Sequence, residues 1–103
     1  MRSDIFRPRV DAEPGNILFR FSLGQALFEE GEFEASIGHL EKCAASRADW
    51  LIPRLLLGQA YFRMGHHEAA RQWLSDALAL AETQSHDDPA AECRRLLAEM
   101  SGK

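Results

Sequence analysis

Four histidines and two cysteines are the side chains of this 103-residue chain best suited to hold a metal or attack a carbonyl, so their spacing comes first. His66 and His67 adjoin. Neighbouring residues at a helix start point apart and chelate poorly, and the H-E-x-x-H spacing that sets two ligands on one helical face is missing. His39 and His86 are remote in sequence. Cys93 and His86 are separated by a loop and a helix start, with no third group to orient a nucleophile and its base. No glycine-rich phosphate loop is present either. The expectation is a chain without catalytic residues, metal or cofactor, and not an enzyme; a metal-dependent or thiol enzyme is the reading set aside. Cys43 and Cys93, with no close pair, read as free thiols of a reducing compartment rather than a disulfide.

The pattern that does stand out is structural. Leu23-Gly24-Gln25-Ala26-Leu27-Phe28 returns 34 residues later as Leu57-Gly58-Gln59-Ala60-Tyr61-Phe62. The same shift lays Arg20 on Arg54, Gly31 on Gly65, Glu34 on Glu68, Ala35 on Ala69, Leu40 on Leu74 and Ala45 on Ala79. A period of this length marks stacked helical hairpins. In the first block Leu23 and Leu27 face the partner helix, where Gly24 lets two backbones approach and Ala35 and Ser36 are the small residues expected opposite it. Phe21, Gln25 and Phe28 form a second stripe that a lone hairpin cannot cover.

The L-G-x2-Y core and the downstream small and apolar positions, clearest at Leu57, Gly58, Tyr61, Ala70 and Leu74, resemble the tetratricopeptide repeat family. The match spans residues 17 to 82. It departs from the family at Arg20 and Arg54, where tryptophan is preferred, at Leu27 in place of tyrosine, and at Ala48 and Glu82 in place of proline. The resemblance implies an all-α fold of two hairpins and a C-terminal capping helix in a short right-handed superhelix. It also implies a protein-binding groove lined by the first helix of each hairpin: Leu18, Phe21, Gln25, Phe28 and Glu29, then Ile52, Leu55, Gln59, Phe62 and Arg63. Such a groove suits a helical or extended peptide, its apolar area giving affinity and its amides fixing register. The lysine clamp by which some family members hold a C-terminal carboxylate is not expected, because Lys42 and Lys103 both lie outside the groove. Arg63 is the one groove cation.

The elements follow from caps and breakers. Residues 1–15, with Pro8, Pro14 and Gly15, show no sustained helical period and read as an extended or disordered lead-in to a domain of residues 16–103. Asn16 caps a helix over about Ile17–Glu30 that Gly31 ends. A second helix covers about 32–46, with Ala35, Ile37, Leu40, Cys43 and Ala44 buried. Asp49 caps a third over about 50–64, with Pro53 tolerated in its first turn. A fourth covers about 67–83, and Asp88-Pro89 opens a last helix to about Met100. Repeat 1 is thus about 17–50, repeat 2 about 51–84 and the capping helix about 89–100.

Sixteen acidic against twelve basic residues give a net charge of -4, which argues against nucleic acid. No apolar run approaches the roughly 18 residues of a membrane span, and no signal-like stretch appears, so a cytoplasmic address is expected. The reading is a non-catalytic interaction module, adaptor or scaffold whose partner is another protein or peptide. Its rival is a homodimer or larger assembly closed through Phe21, Phe28, Leu55 and Phe62, because two repeats are fewer than the roughly three a solenoid usually needs.

Overall fold

A computed structural model describes residues 1–102 and shows six helices: α1 Arg2–Ala12, α2 Ile17–Glu29, α3 Phe33–Ser46, α4 Leu51–Arg63, α5 His67–Thr83 and α6 Asp87–Gly102. Each packs antiparallel on the next, and α2 touches α4 as α4 touches α6. The stack is elongated, 44 Å by 27 Å by 19 Å.

The hairpin turns form as the glycines dictate. Gly31 (φ 82°) and Gly65 (φ 80°) take the left-handed conformation. Behind them Glu32 N–H donates to the Leu27 carbonyl (2.8 Å) and His66 N–H to that of Tyr61 (2.9 Å), so each helix end is closed by paired reverse bonds. The α5–α6 turn repeats this geometry without glycine: Ser85 adopts φ 61°, and His86 N–H reaches the Ala81 carbonyl at 2.8 Å. This tight turn starts α6 at Asp87, two residues before the expected Pro89. Asn16 does cap α2, its Oδ1 accepting from the N–H groups of Leu18 and Phe19, both at 3.1 Å.

Asp49 does not cap α4. Trp50 holds the N-cap position without a side-chain bond, and the turn is secured from inside the helix. Arg54 donates to the carbonyls of Ala44 (2.9 Å), Arg47 (3.0 Å) and Trp50 (2.8 Å). Arg20, its equivalent one repeat earlier, reaches the Pro14 carbonyl at 3.0 Å and His39 Nδ1 at 3.1 Å. Arginine at this position therefore ties down the turn that precedes its own helix. Burial, then the Arg20 charge, lowers the His39 pKa, so its ring is neutral at pH 7 and Nδ1 accepts from Arg20.

The core comes in three layers. Leu40, Ala44 and Leu57 join the two hairpins, and Leu51, Leu74, Ala77, Cys93 and Leu96 join the second hairpin to α6. Gly24 faces Leu40 and His39 rather than the expected Ala35 and Ser36, and Gly58 faces Leu74. Ala35 is exposed. The reason is helical phase: Leu40 points at α2, whereas Ala35 lies on the far side of α3.

The third layer corrects the expected lead-in. Residues 2–12 are helical, and Val10, Leu23 and Leu27 form a core with Phe6 and Phe19. Shifted by 34, Phe6 falls on Leu40 and Val10 on Ala44. Helix α1 thus stands where the second helix of a preceding hairpin would stand. The same shift puts Arg2 and Arg9 where α3 buries Ser36 and Cys43. Arg2 pairs with Glu29, and the Arg9 guanidinium lies over the rings of Phe6 (5.8 Å) and Phe19 (5.9 Å). Charged heads on apolar stems make this outer face wet.

Glu30, at the end of α2, caps α1 from outside: its carboxylate accepts from Ser3 N–H (2.9 Å) and Ser3 Oγ–H (2.7 Å). Those bonds, the backbone one first, hold the Glu30 pKa below its ordinary 4.5. A depressed carboxylate pKa contributes stability that is complete above the unfolded value and is lost as pH falls through the folded one. Acidification below about pH 5 is therefore expected to loosen α1 before the hairpins. Hydrogen exchange resolved along the chain checks this: α1 amides lose protection first, and Glu30→Gln shows the same loss at pH 7. Equal loss in α1 and α4 would contradict it.

Candidate functional site

The surface singled out by sequence is the side of α2 and α4 turned away from α3 and α5. On α2, Leu18, Gln25 and Glu29 fall on one line at i, i+7 and i+11, and Ile52, Gln59 and Arg63 repeat it on α4. Leu18 and Ile52 are among the few large exposed apolar side chains, at 58% and 37% exposure. Gln25 and Gln59 are half-buried between them, and Glu29 and Arg63 are exposed at the far end.

The aromatic and aliphatic part of the predicted groove is less free. Phe21 packs on Trp50 (ring centroids 5.0 Å apart) and on the core that joins the hairpins. Leu55 and Phe62 pack against the core beneath α6. Phe28 meets Phe33 edge-on at 5.3 Å. These four are half-buried, so little of them is left to close a dimer.

Sequence reasoning missed the contribution of α6. It lies beside α4 and brings Glu92 and Arg95 to the surface above the buried Leu96. Gln59 Nε2 donates to Glu92 Oε2 (3.2 Å). Arg95 bonds Glu92 (2.9 Å) and Glu99 (3.4 Å). The Glu92 pKa is lowered, first by Arg95 and then by the Gln59 bond, against its partial burial. The available signal was positional: Glu92 lies 33 residues beyond Gln59, one short of the repeat. It was hidden because α6 lacks the Leu-Gly core.

Two hollows open along the α4–α6 crease. One, of about 300 Å³, sits at the helix starts beside Trp50, Leu51, Ile52, Gln84, His86 and Pro89. The other, of about 140 Å³, lies between Gln59, Phe62 and Arg63 of α4 and Glu92, Arg95 and Leu96 of α6. Between α2 and α4, Phe21 and Trp50 pack ring on ring with centroids 5.0 Å apart.

The groups considered for chemistry sit elsewhere. Cys43 and Cys93 are buried and free. Desolvation pushes the Cys43 thiol up to about 11 and raises Cys93 as well, which keeps both protonated and poorly nucleophilic. His66 and His67 are spent on aromatic contacts with Tyr61 and Phe62 at the second hairpin tip. Among the described residues, no three His, Cys, Asp or Glu side chains converge as a metal site, and no helix is long and apolar enough to cross a membrane. Lys103 lies outside the described residues.

The tetratricopeptide repeat profile matches residues 27–100. The TPR repeat-containing protein PA0015 of Pseudomonas aeruginosa is 35% identical over 77 residues, which is 75% of this chain and 71% of that protein. The solution structure of protein BPP2914 from Bordetella parapertussis superposes with a TM-score of 0.77, covering 96% of this chain and 90% of the other. At 24% identity that likeness speaks for the fold alone. Repeat period, hairpin geometry and profile agree: the chain belongs to the tetratricopeptide repeat family, whose members are in general non-catalytic modules that bind other proteins.

Proposed function

We propose that this protein is a non-catalytic adaptor that binds a peptide segment of another protein along the inner wall of α2, α4 and α6. The observation that carries the reading is the recurrence of an exposed apolar residue followed by a half-buried amide at the same two positions of successive first helices: Leu18 with Gln25, and Ile52 with Gln59. Nothing in the packing of the hairpins needs Leu18 or Ile52 exposed. An apolar residue held in water two helical turns from a hydrogen-bonding amide is what a polypeptide ligand uses, through its side chains and its backbone respectively. Self-association through Phe21, Phe28, Leu55 and Phe62 is the weaker reading, because Phe21, Leu55 and Phe62 pack on the core and Phe28 on Phe33 within one copy.

The test is affinity capture from the native host with two baits, the wild type and a Gln25→Ala, Gln59→Ala double variant. Loss of a specific co-purifying protein with the variant, at unchanged helicity, is the expected result. Identical capture by both baits contradicts the reading.

A further inference from the structure

We infer that a hollow between α3 and the end of α4 docks a basic side chain of a partner polypeptide. This surface is separate from the inner wall. Tyr61, which lines the hollow, lies two residues from Gln59, about 200° around α4 and so on its opposite side.

The hollow measures about 280 Å³ and is lined by Glu34, Ile37, Tyr61, Met64 and His66. Ile37, Tyr61 and Met64 are half-buried and make its lining apolar. Glu34 is exposed at the rim and forms no ion pair among the described residues. Glu41, two turns further along α3, accepts from the Tyr61 hydroxyl at 3.3 Å and likewise pairs with no cation there. Burial, then the Glu41 charge, raises the Tyr61 pKa, so the phenol keeps its proton and donates. An apolar lining beneath unpaired carboxylates fits the methylene stem and charged head of arginine or lysine.

The second hairpin shows what the same face looks like without such a site. Shifted by 34, Glu34 falls on Glu68, Ile37 on Arg71, Gly38 on Gln72 and Glu41 on Ser75. On α5 Arg71 reaches Glu68 at 3.9 Å, so that face answers its own carboxylate. On α3 an isoleucine stands where the arginine would be, and Glu34 is left for a cation from outside.

Gly38 carries the same message. Among residues other than proline, glycine is the poorest helix former, yet a Cβ at position 38 would meet nothing within 4 Å. No contact inside the protein therefore requires it. Gly38 is exposed, adjoins Ile37 and lies one turn from Glu34. A side chain there would stand beside the rim, and its absence lets an incoming backbone come close.

The test titrates the end-capped peptide Gly-Ser-Arg-Ser-Gly into the isotope-labelled protein at low ionic strength, followed by amide chemical shifts. A counterpart with uncharged citrulline in place of arginine is the control. The arginine peptide is expected to perturb Glu34, Ile37, Gly38, Tyr61 and Met64, and the citrulline peptide to bind about fivefold more weakly. Glu34→Gln and Glu41→Gln should each weaken the arginine peptide by about threefold. Gly38→Gln, which gives α3 the residue that α5 carries, should weaken it by about fivefold. The same change should raise the thermal midpoint by about 2–4 °C, because glutamine is the better helix former. Absence of binding, equal binding of the two peptides, or undiminished binding by Gly38→Gln overturns the proposal. So do equal perturbations at the acidic first turns of α5 and α6. The inner-wall reading is tested with other residues and does not depend on the outcome.

Discussion

Gly58→Ala is expected to destabilise the fold by about 2 kcal/mol, although alanine is the better helix former by about 1 kcal/mol. A Cβ at position 58 would lie 2.5 Å from Leu74 Cδ2, 2.6 Å from its Cγ and 3.3 Å from its backbone nitrogen. Leu74 is fully buried, so neither its side chain nor the helix behind it can retreat freely. Overpacking of this kind costs about 1–3 kcal/mol. Gly24→Ala is milder, under about 1 kcal/mol, because the nearest atom of Leu40 is 3.0 Å away and a small rotation relieves it. Leu74→Ala leaves a cavity and costs about 2–5 kcal/mol. The double variant Gly58→Ala, Leu74→Ala should cost about 1–2 kcal/mol less than the sum, because the new methyl occupies part of the space the leucine vacates. Urea unfolding followed by circular dichroism measures all four. Additive costs would show that position 58 and Leu74 are not in close contact.

The second large effect concerns binding rather than stability. Leu18→Asp with Ile52→Asp is expected to weaken partner binding by a hundredfold or so, since two apolar anchors are each worth about 1–2 kcal/mol. The same pair should change unfolding free energy by no more than about 0.5 kcal/mol per site, as neither side chain is needed in the core. The converse control is Phe21→Asp, which strikes the junction with Trp50 and should lower stability whatever happens to binding. A Leu18, Ile52 double variant that unfolds would mean these residues hold the hairpins together and are not available to a ligand.

The backbone of this fold was readable in the sequence because its determinants are local and recur. Gly31 and Gly65 end helices by their own conformational freedom, Asn16 caps by its own side chain, and the 34-residue period is written in Leu-Gly pairs. What was not readable depends on residues distant along the chain. Helix α1 contains Pro8 and offers Ser3, Phe6 and Val10 as its whole inward face, and its N-terminus is capped by Glu30, 27 positions away. No local rule finds such a helix. Ser85 turns the chain as a glycine would because the α5–α6 contact holds it there, so the start of α6 came out late.

The side of α2 and α4 turned from α3 and α5 follows from helical phase alone. Sequence could not show that Phe21, Leu55 and Phe62 lean into the layers between hairpins, because inner wall and hairpin junction are adjacent arcs of the same helix. Nor could it show that α6 lies beside α4 on that side. The consequence is a surface whose apolar area is concentrated at Leu18 and Ile52 and whose open space lies between α4 and α6.

The most direct test of an inner binding wall is amide chemical-shift mapping with a captured partner segment titrated into isotope-labelled protein. Perturbations are expected at Leu18, Gln25, Ile52, Gln59, Arg63 and Glu92, with α3 and the outer face of α5 unchanged. A footprint centred on the outward residues of α3 and α5, such as Lys42, Gln72 and Asp76, would contradict it.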